Sequence, residues 1–156
     1  DELSSVLGML IAQTREQEPD LHHEIQSIQS ILFHAGAWLA TDPASPRLDN
    51  IRGIDESHIR FLEAAIDRMQ SDLPELTDFI LPGGDILASW SHIARTVCRR
   101  CERHVVTLQD SYPQGNDREQ MEGIVMFLNR LSDYLFVLAR HLNRVSGRGD
   151  MLWKKP

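Results

Sequence analysis

The stretch Asp85-Ile86-Leu87-Ala88-Ser89-Trp90-Ser91-His92-Ile93-Ala94-Arg95-Thr96-Val97-Cys98-Arg99-Arg100-Cys101-Glu102-Arg103-His104-Val105-Val106-Thr107-Leu108 decides the fold. At about 100° per residue, Ile86, Trp90, Ile93, Val97, Cys101, Val105 and Leu108 fall on one line, the stripe of a long amphipathic helix. Leu81-Pro82-Gly83-Gly84 before it is turn chemistry, and Asp85 stands where it can cap the helix. Downstream, Tyr112 to Asn116 reads as a loop. A second long helix follows with Ile124, Phe127, Leu128, Leu131, Leu135, Leu138 and Leu142 inside, ending at Gly147 and Gly149.

The same period runs upstream. Leu3, Val6, Leu7 and Leu10 make a first stripe that ends near Glu18-Pro19, and Asp20 is placed to cap a second helix carrying Leu21, Ile25, Ile28, Leu32 and Leu39. Thr41 to Gly53, with Pro43 and Pro46, reads as a loop. A third helix starts near Asp55, runs on Ile59, Leu62, Ile66 and Met69, and stops before Pro74. No segment alternates in the strand manner. Five helices of roughly 16 to 30 residues with short connections predict an all-α, up-and-down bundle, a single ferritin-like domain over residues 1–156.

Charge narrows the function. The chain has 23 acidic and 16 basic side chains, a formal net charge of −7, which excludes the diffuse basic surface of a nucleic-acid or anionic-membrane binder. There is no run of 18 or more apolar residues and no signal-peptide pattern at the first residues. Fourteen of the basic residues are Arg, and the two Lys are Lys154 and Lys155. Four Arg, at 95, 99, 100 and 103, lie within nine residues, a local anion site on an acidic scaffold.

His92, Arg95, Arg99 and Glu102 share one helix face beside the apolar stripe. Asn129, Asp133 and Phe136 make a similar line on the last helix, and the two lines are expected to meet in one cleft. The alternative is a solvated face with Arg–Glu pairs one turn apart. Cys98-x-x-Cys101 lacks the four ligands of a zinc site and the strand-to-helix setting of a redox motif, so it reads as two free thiols in a reducing, cytoplasmic compartment. Asp20 with His23 and Asp55 with His58 are half-sites of a metal bundle only if they lie mid-helix; at helix starts they read as caps. Arg148-Gly149-Asp150 matches an adhesion tripeptide with almost no specificity. Gly83-Gly84 lacks the continuation of a phosphate loop.

Three runs in order carry a family resemblance: Phe79-Ile80-Leu81-Pro82-Gly83-Gly84, then Ala94 to Arg103, then Leu128-Asn129-Arg130-Leu131-Ser132-Asp133 with Phe136-Val137-Leu138-Ala139-Arg140. With Asp1-Glu2-Leu3-Ser4-Ser5 and Leu152-Trp153-Lys154 at the two ends, nearly the whole chain resembles the PduO-type ATP:cob(I)alamin adenosyltransferases. The resemblance implies a homotrimer with active sites at subunit interfaces. It also implies transfer of the 5′-deoxyadenosyl group from ATP to the cobalt of cobalamin, with Mg²⁺ and with release of triphosphate. It implies that Arg95 pairs with a carboxylate in the position of Asp1, that Arg99 contacts ATP, and that Glu102 and Asn129 orient the nucleotide. Phe79 is then expected against the lower corrin face, with Phe136 and Trp153 lining that pocket. An electron-donating reductase is the expected partner for reaching the cob(I) state. The family's Thr-Gly-Asp-x-Gly-Thr-Thr type phosphate segment is expected ahead of Asp1, and Cys101 stands where the family commonly has Ala. Two other classes remain open on the residues: a non-catalytic bundle that carries or senses cobalamin or a nucleotide, and a metal-storage or di-iron bundle.

Overall fold

The computed structural model describes residues 1–14, 18–42, 44–110 and 116–154. Pro43, the Tyr112–Gly115 part of the expected loop and Lys155 lie outside the described residues. Five helices follow in order: α1 (Glu2–Thr14), α2 (Pro19–Leu39), α3 (Glu56–Gln70), α4 (Ile86–Gln109) and α5 (Asn116–Val145). A single 3-10 turn, Leu48–Asn50, interrupts the loop after α2. The helix α1 packs on α2 and α4, and α5 packs on α3 and α4. Two contacts fix the sense of the α4–α5 pair. Glu102 meets Asn129 near one end and His92 meets Phe136 toward the other, so the two helices run antiparallel.

The expected stripe of α5 is the spine of the core: Ile124, Phe127, Leu128, Leu131, Leu135, Leu138 and Leu142 are all buried. Each such side chain contributes about 1.5–3 kcal/mol by leaving water. Leu3, Leu7 and Leu10 of α1, Leu21, Ile25 and Ile28 of α2, and Leu62, Ile66 and Met69 of α3 are buried as expected. Trp38 and Ala35 close the end of α2, where Leu32 and Leu39 are half-buried.

The helix α4 departs from its expected stripe. Ile86 is 71% exposed, and Ile93 and Leu108 are also exposed, whereas Ala88, Ser91, Ala94, Cys98 and Glu102 face inward. Val97 and Val105 of the expected stripe are buried as well, so the inward face keeps part of that stripe and extends about 100° round the helix to the smaller side chains one residue on. Small residues there let α5 approach closely, and packing depth outweighs side-chain size.

Caps explain most helix starts. Asp55 accepts a hydrogen bond from Ser57 N–H at 2.8 Å, and the ring of His58 accepts from Asp55 N–H at 3.1 Å, a reciprocal capping box. Asp85 accepts from Leu87 N–H at 2.9 Å. Asp20 does not cap α2: Pro19 is already helical, Glu18 stands at the cap position without a side-chain bond, and Asp20 lies in the first turn, where its charge suits the helix dipole.

A feature without a sequence signal is a two-stranded antiparallel ladder, β1 (Ile80–Leu81) with β2 (Met151–Leu152), pairing Ile80 with Leu152 and Leu81 with Met151. Two residues are too few to show alternation.

Candidate active site

The ladder brings two expected site residues together. Trp153 N–H donates to the Phe79 carbonyl at 2.7 Å, and the two rings meet edge to face with centroids 6.3 Å apart. Phe79 is 79% exposed and Trp153 43%, and with Leu76, Thr77 and Asp78 they line a cavity of about 460 Å³. An isolated loop would not hold two rings this way; anchors on α5 do. Arg140 is buried and donates through Nε to Asp150 and through Nη2 to the Pro74 carbonyl, both at 2.8 Å. Asn143, 2% exposed, accepts from Asp85 N–H at 2.8 Å and donates to the Gly83 carbonyl at 2.9 Å. Gly84 turns the chain at φ +102°, and a Cβ there would stand 2.2 Å from Asn143 Oδ1. Both glycines therefore serve a tight latch. Asp150 is engaged by Arg140 at the foot of the ladder, so the Arg148-Gly149-Asp150 tripeptide is part of the latch.

The second group lies further along α4. Arg99 donates to Glu102 Oε2, and Asn129 Nδ2 donates to Glu102 Oε1 at 2.9 Å. Glu102 is buried, whereas the Arg99 side chain is 44% exposed, so one carboxylate fixes an Arg and an amide while the Arg still faces solvent. A guanidinium oriented in this way offers its remaining donors to an anion. Asp133 turns instead to Arg130 on its own helix, at 3.0 Å. Among the described residues, Arg95 makes no ion pair with Asp1; the α1 end meets α4 through Glu2 and Arg100. Arg95 and Arg100 are five residues apart, about 140° round the helix, so they cannot share that partner. The Nε of Arg95 is buried without a hydrogen-bond partner.

Between the two groups lies His92, 4% exposed, its ring 6.3 Å from that of Phe136. Phe136 thus sits on the α4–α5 seam and lines a depression with Glu63, Ile66 and Arg130, separate from the Phe79–Trp153 cavity. Burial lowers the imidazole pKa below its ordinary value, Arg95 lowers it further, and Asp150 opposes both. Sequence reasoning missed Arg140 and Asn143, although they extend the line Asn129, Asp133, Phe136 by two further turns at the same spacing.

With this geometry in place, comparison with known proteins is decisive. The family model described as cobalamin adenosyltransferase matches residues 1–142. The chain belongs to the cobalamin adenosyltransferase family. It is 42% identical to the corrinoid adenosyltransferase of Bacillus subtilis, over 99% of this chain and 76% of that protein. It is 40% identical to the corrinoid adenosyltransferase MMAB of Bos taurus, over 99% of this chain and 63% of that protein, so it spans less than two thirds of the bovine relative. Among solved structures, a phenylalanine-to-alanine variant of the PduO-type ATP:corrinoid adenosyltransferase from Lactobacillus reuteri, complexed with cobalamin and ATP, superposes with a TM-score of 0.86. The match has 36% identity and covers 99% of this chain and 82% of that one. An arginine-to-lysine variant from the same organism, complexed with ATP, gives 0.85 at the same identity and the same coverage of both chains.

The remaining features of this family member are structural. Cys98 is buried, its thiol donates to the Leu128 carbonyl at 3.2 Å, and burial pushes its pKa far up; burial also raises that of Cys101. Both are free thiols. Among the described residues, no group of three or more His, Cys, Asp or Glu side chains is placed to hold a metal ion, and no helix is long and apolar enough to cross a membrane.

Proposed function

We propose that this chain transfers the 5′-deoxyadenosyl group of ATP to the cobalt of a reduced corrinoid, forming adenosylcobalamin and releasing triphosphate. Membership of the cobalamin adenosyltransferase family supports this reading, and one geometric observation carries it. The structure separates a buried Glu102 that orients Arg99 and Asn129 from an exposed Phe79–Trp153 pair held on a latch. The first suits a polyanionic leaving group; the second suits an apolar macrocycle.

The reaction asks little covalent chemistry of the protein. The Co(I) lone pair attacks C5′, the C5′–O bond breaks, and the triphosphate leaves with the bonding pair. The work left to side chains is alignment, exclusion of water and stabilisation of leaving-group charge. In this reading Arg99 contacts the triphosphate, Glu102 and Asn129 orient the nucleotide, and Arg95, whose Nε has no partner among the described residues of its own chain, completes the anion site with the Asp1 carboxylate of a neighbouring subunit. Phe79 covers the lower corrin face with Trp153; Phe136, which lines a separate depression on the α4–α5 seam, is assigned to the corrinoid by the family resemblance alone. Mg²⁺, where it takes part, would be carried in with the ATP phosphates and would neutralise leaving-group charge alongside Arg99.

The family resemblance supports a homotrimer with the sites at subunit interfaces, each protomer folding as one domain, and the exposed Ile86 and Ile93 on α4 are apolar surface that such an interface would cover. A reductase supplies the electron that forms Co(I), and the two reduced thiols support a cytoplasmic location. The test is an anaerobic assay of the full-length protein with cob(I)alamin, ATP and Mg²⁺, read by the corrinoid spectrum. Conversion to the Co–C product supports the reading. An unchanged spectrum overturns it, and cobalamin binding without conversion indicates a carrier instead.

A further inference from the structure

A guanidinium that bonds two separate chain segments fixes the distance between them, and burial makes such a bridge costly to break. Arg140, 6% exposed, is such a bridge. Its Nε donates to Asp150 Oδ2 and its Nη2 to the Pro74 carbonyl, both at 2.8 Å. Pro74 opens the segment that runs through Leu76, Thr77 and Asp78 to Phe79, and Asp150 opens the tail that runs through Met151 and Leu152 to Trp153. These two segments supply every residue lining the cavity of about 460 Å³. One side chain of α5 therefore stands behind both of its walls.

The walls have little else to hold them. The ladder of Ile80–Leu81 with Met151–Leu152 is two residues long, and no hairpin joins its strands, since the whole of α4 and α5 lies between them. A pair that short does not sustain itself. Residues 75–79 are all exposed, and the Thr77 hydroxyl bonds its own neighbour, Asp78. Asp150 Oδ1 has no hydrogen-bond partner among the described residues, so this carboxylate is held by Arg140 alone. Asn143 secures the turns at Gly83 and Gly149, which leaves the approach to Phe79 from Pro74 and the start of the tail at Asp150 to Arg140.

We propose that Arg140 is a positioning residue for the corrinoid: by holding Pro74 and Asp150 at once, it sets the Phe79 and Trp153 rings in place before the substrate arrives. The assignment rests on the adenosyltransferase reading and deepens it. Arg140 is buried behind the cavity and lines none of it, so it acts through the two rings and not by contact. Rings already placed edge to face need not be ordered at the moment of binding, and each side chain spared that step improves affinity. The role demands arginine. A lysine ammonium keeps the charge that Asp150 requires but lacks the planar fork that reaches two acceptors in fixed directions. None of the bridge's partners belongs to the Arg99, Glu102 and Asn129 group, so the nucleotide is not expected to feel its loss.

Arg140→Lys in the full-length protein separates the fork from the charge. Steady-state kinetics with cob(I)alamin and ATP are expected to show a corrinoid KM raised about tenfold, the worth of ordering two ring side chains on binding, with the ATP KM within about twofold of wild type. In the ligand-free protein, hydrogen exchange should speed up at the Trp153 amide, which the Phe79 carbonyl protects, while the α3 and α4 amides keep their wild-type rates. Asp150→Asn weakens the tail half of the bridge and spares the Pro74 half, so it should move the corrinoid KM in the same direction by a smaller factor; it serves alone if Arg140→Lys does not fold. A merely structural arginine would lower the melting temperature and the active fraction, reducing kcat and leaving both KM values in place. An unchanged corrinoid KM, an equal rise in both KM values, or Trp153 exchange at the wild-type rate would overturn the assignment. If the wild-type protein converts no cob(I)alamin, the adenosyltransferase reading fails, and the exchange measurement still decides whether Arg140 holds the two segments.

Discussion

Replacing Gly84 by Ala tests the latch quantitatively. The added Cβ would lie 2.2 Å from Asn143 Oδ1 and 2.8 Å from its Cγ, so the Asn side chain must leave. Its departure breaks the bonds to Asp85 N–H and the Gly83 carbonyl. Two net hydrogen bonds at about 1 kcal/mol each, with part-buried backbone groups left behind, make the loss about 2–3 kcal/mol. The residue must also hold φ +102°, which for a side chain bearing a Cβ costs about 1–2 kcal/mol more. Gly84→Ala is thus expected to destabilise by about 3–5 kcal/mol and Asn143→Ala alone by about 2–3 kcal/mol. The double variant should cost little more than Gly84→Ala by itself, because the clash has already been removed. The coupling is then about 2–3 kcal/mol, well above the roughly 0.5 kcal/mol scatter of independent sites. Urea unfolding of the four proteins measures it, with faster hydrogen exchange at the Asp85 amide as a local reading. Strict additivity would refute the latch, since it would mean that Gly84 and Asn143 do not share a strained contact.

Other expectations follow from exposure and charge. Arg99→Ala should lower turnover by roughly 10²-fold, as loss of a preorganised donor to the leaving group does, while shifting stability by less than about 1 kcal/mol because the side chain is part-exposed. Circular dichroism, size-exclusion chromatography and kinetics on one sample read these; loss of assembly with ATP binding intact would contradict the assignment. Phe79→Ala should leave stability within about 0.5 kcal/mol, since the ring is already 79% exposed, and should impair conversion of the corrinoid. Because His92 has a folded pKa below its unfolded value of 6.5, the unfolded state takes up the proton first, so its contribution to stability is present above about pH 6.5 and falls as pH drops below it. The slope of melting temperature between about pH 7.5 and 5.5 should be shallower in His92→Leu than in wild type, a difference of order one proton.

The parts of the fold legible in the sequence are those written in large, regularly spaced side chains. The α5 stripe from Ile124 to Leu142 is the clearest case, because each of its members is large and every one is buried. On α4 the same rule misleads, since Ala88, Ala94 and Cys98 are inside because they are small, and Ile86 and Ile93 are outside although they are apolar. Glu102 and Asn129 could be placed together from helical spacing on two adjacent helices. Arg140 and Asn143 escape such reasoning because their partners, the Pro74 carbonyl, the Gly83 carbonyl, Asp85 N–H and Asp150, are loop and tail groups whose approach depends on tertiary structure. A carbonyl leaves no trace in the sequence.

The ladder makes chain length a form of information. Asp150 is tied to Arg140, and Trp153 follows three residues later, in register with Phe79 across two paired rungs. Shifting a strand by one residue turns each side chain to the opposite face. A single insertion between Asp150 and Trp153 would therefore keep both residues and still point the indole away from the Phe79 ring. The exposed Thr77 and Asp78 tolerate exchange of side chains, but the count of residues from the Pro74 carbonyl to Phe79 does not tolerate change. Across this segment, variation is expected to appear as substitutions and to avoid gaps.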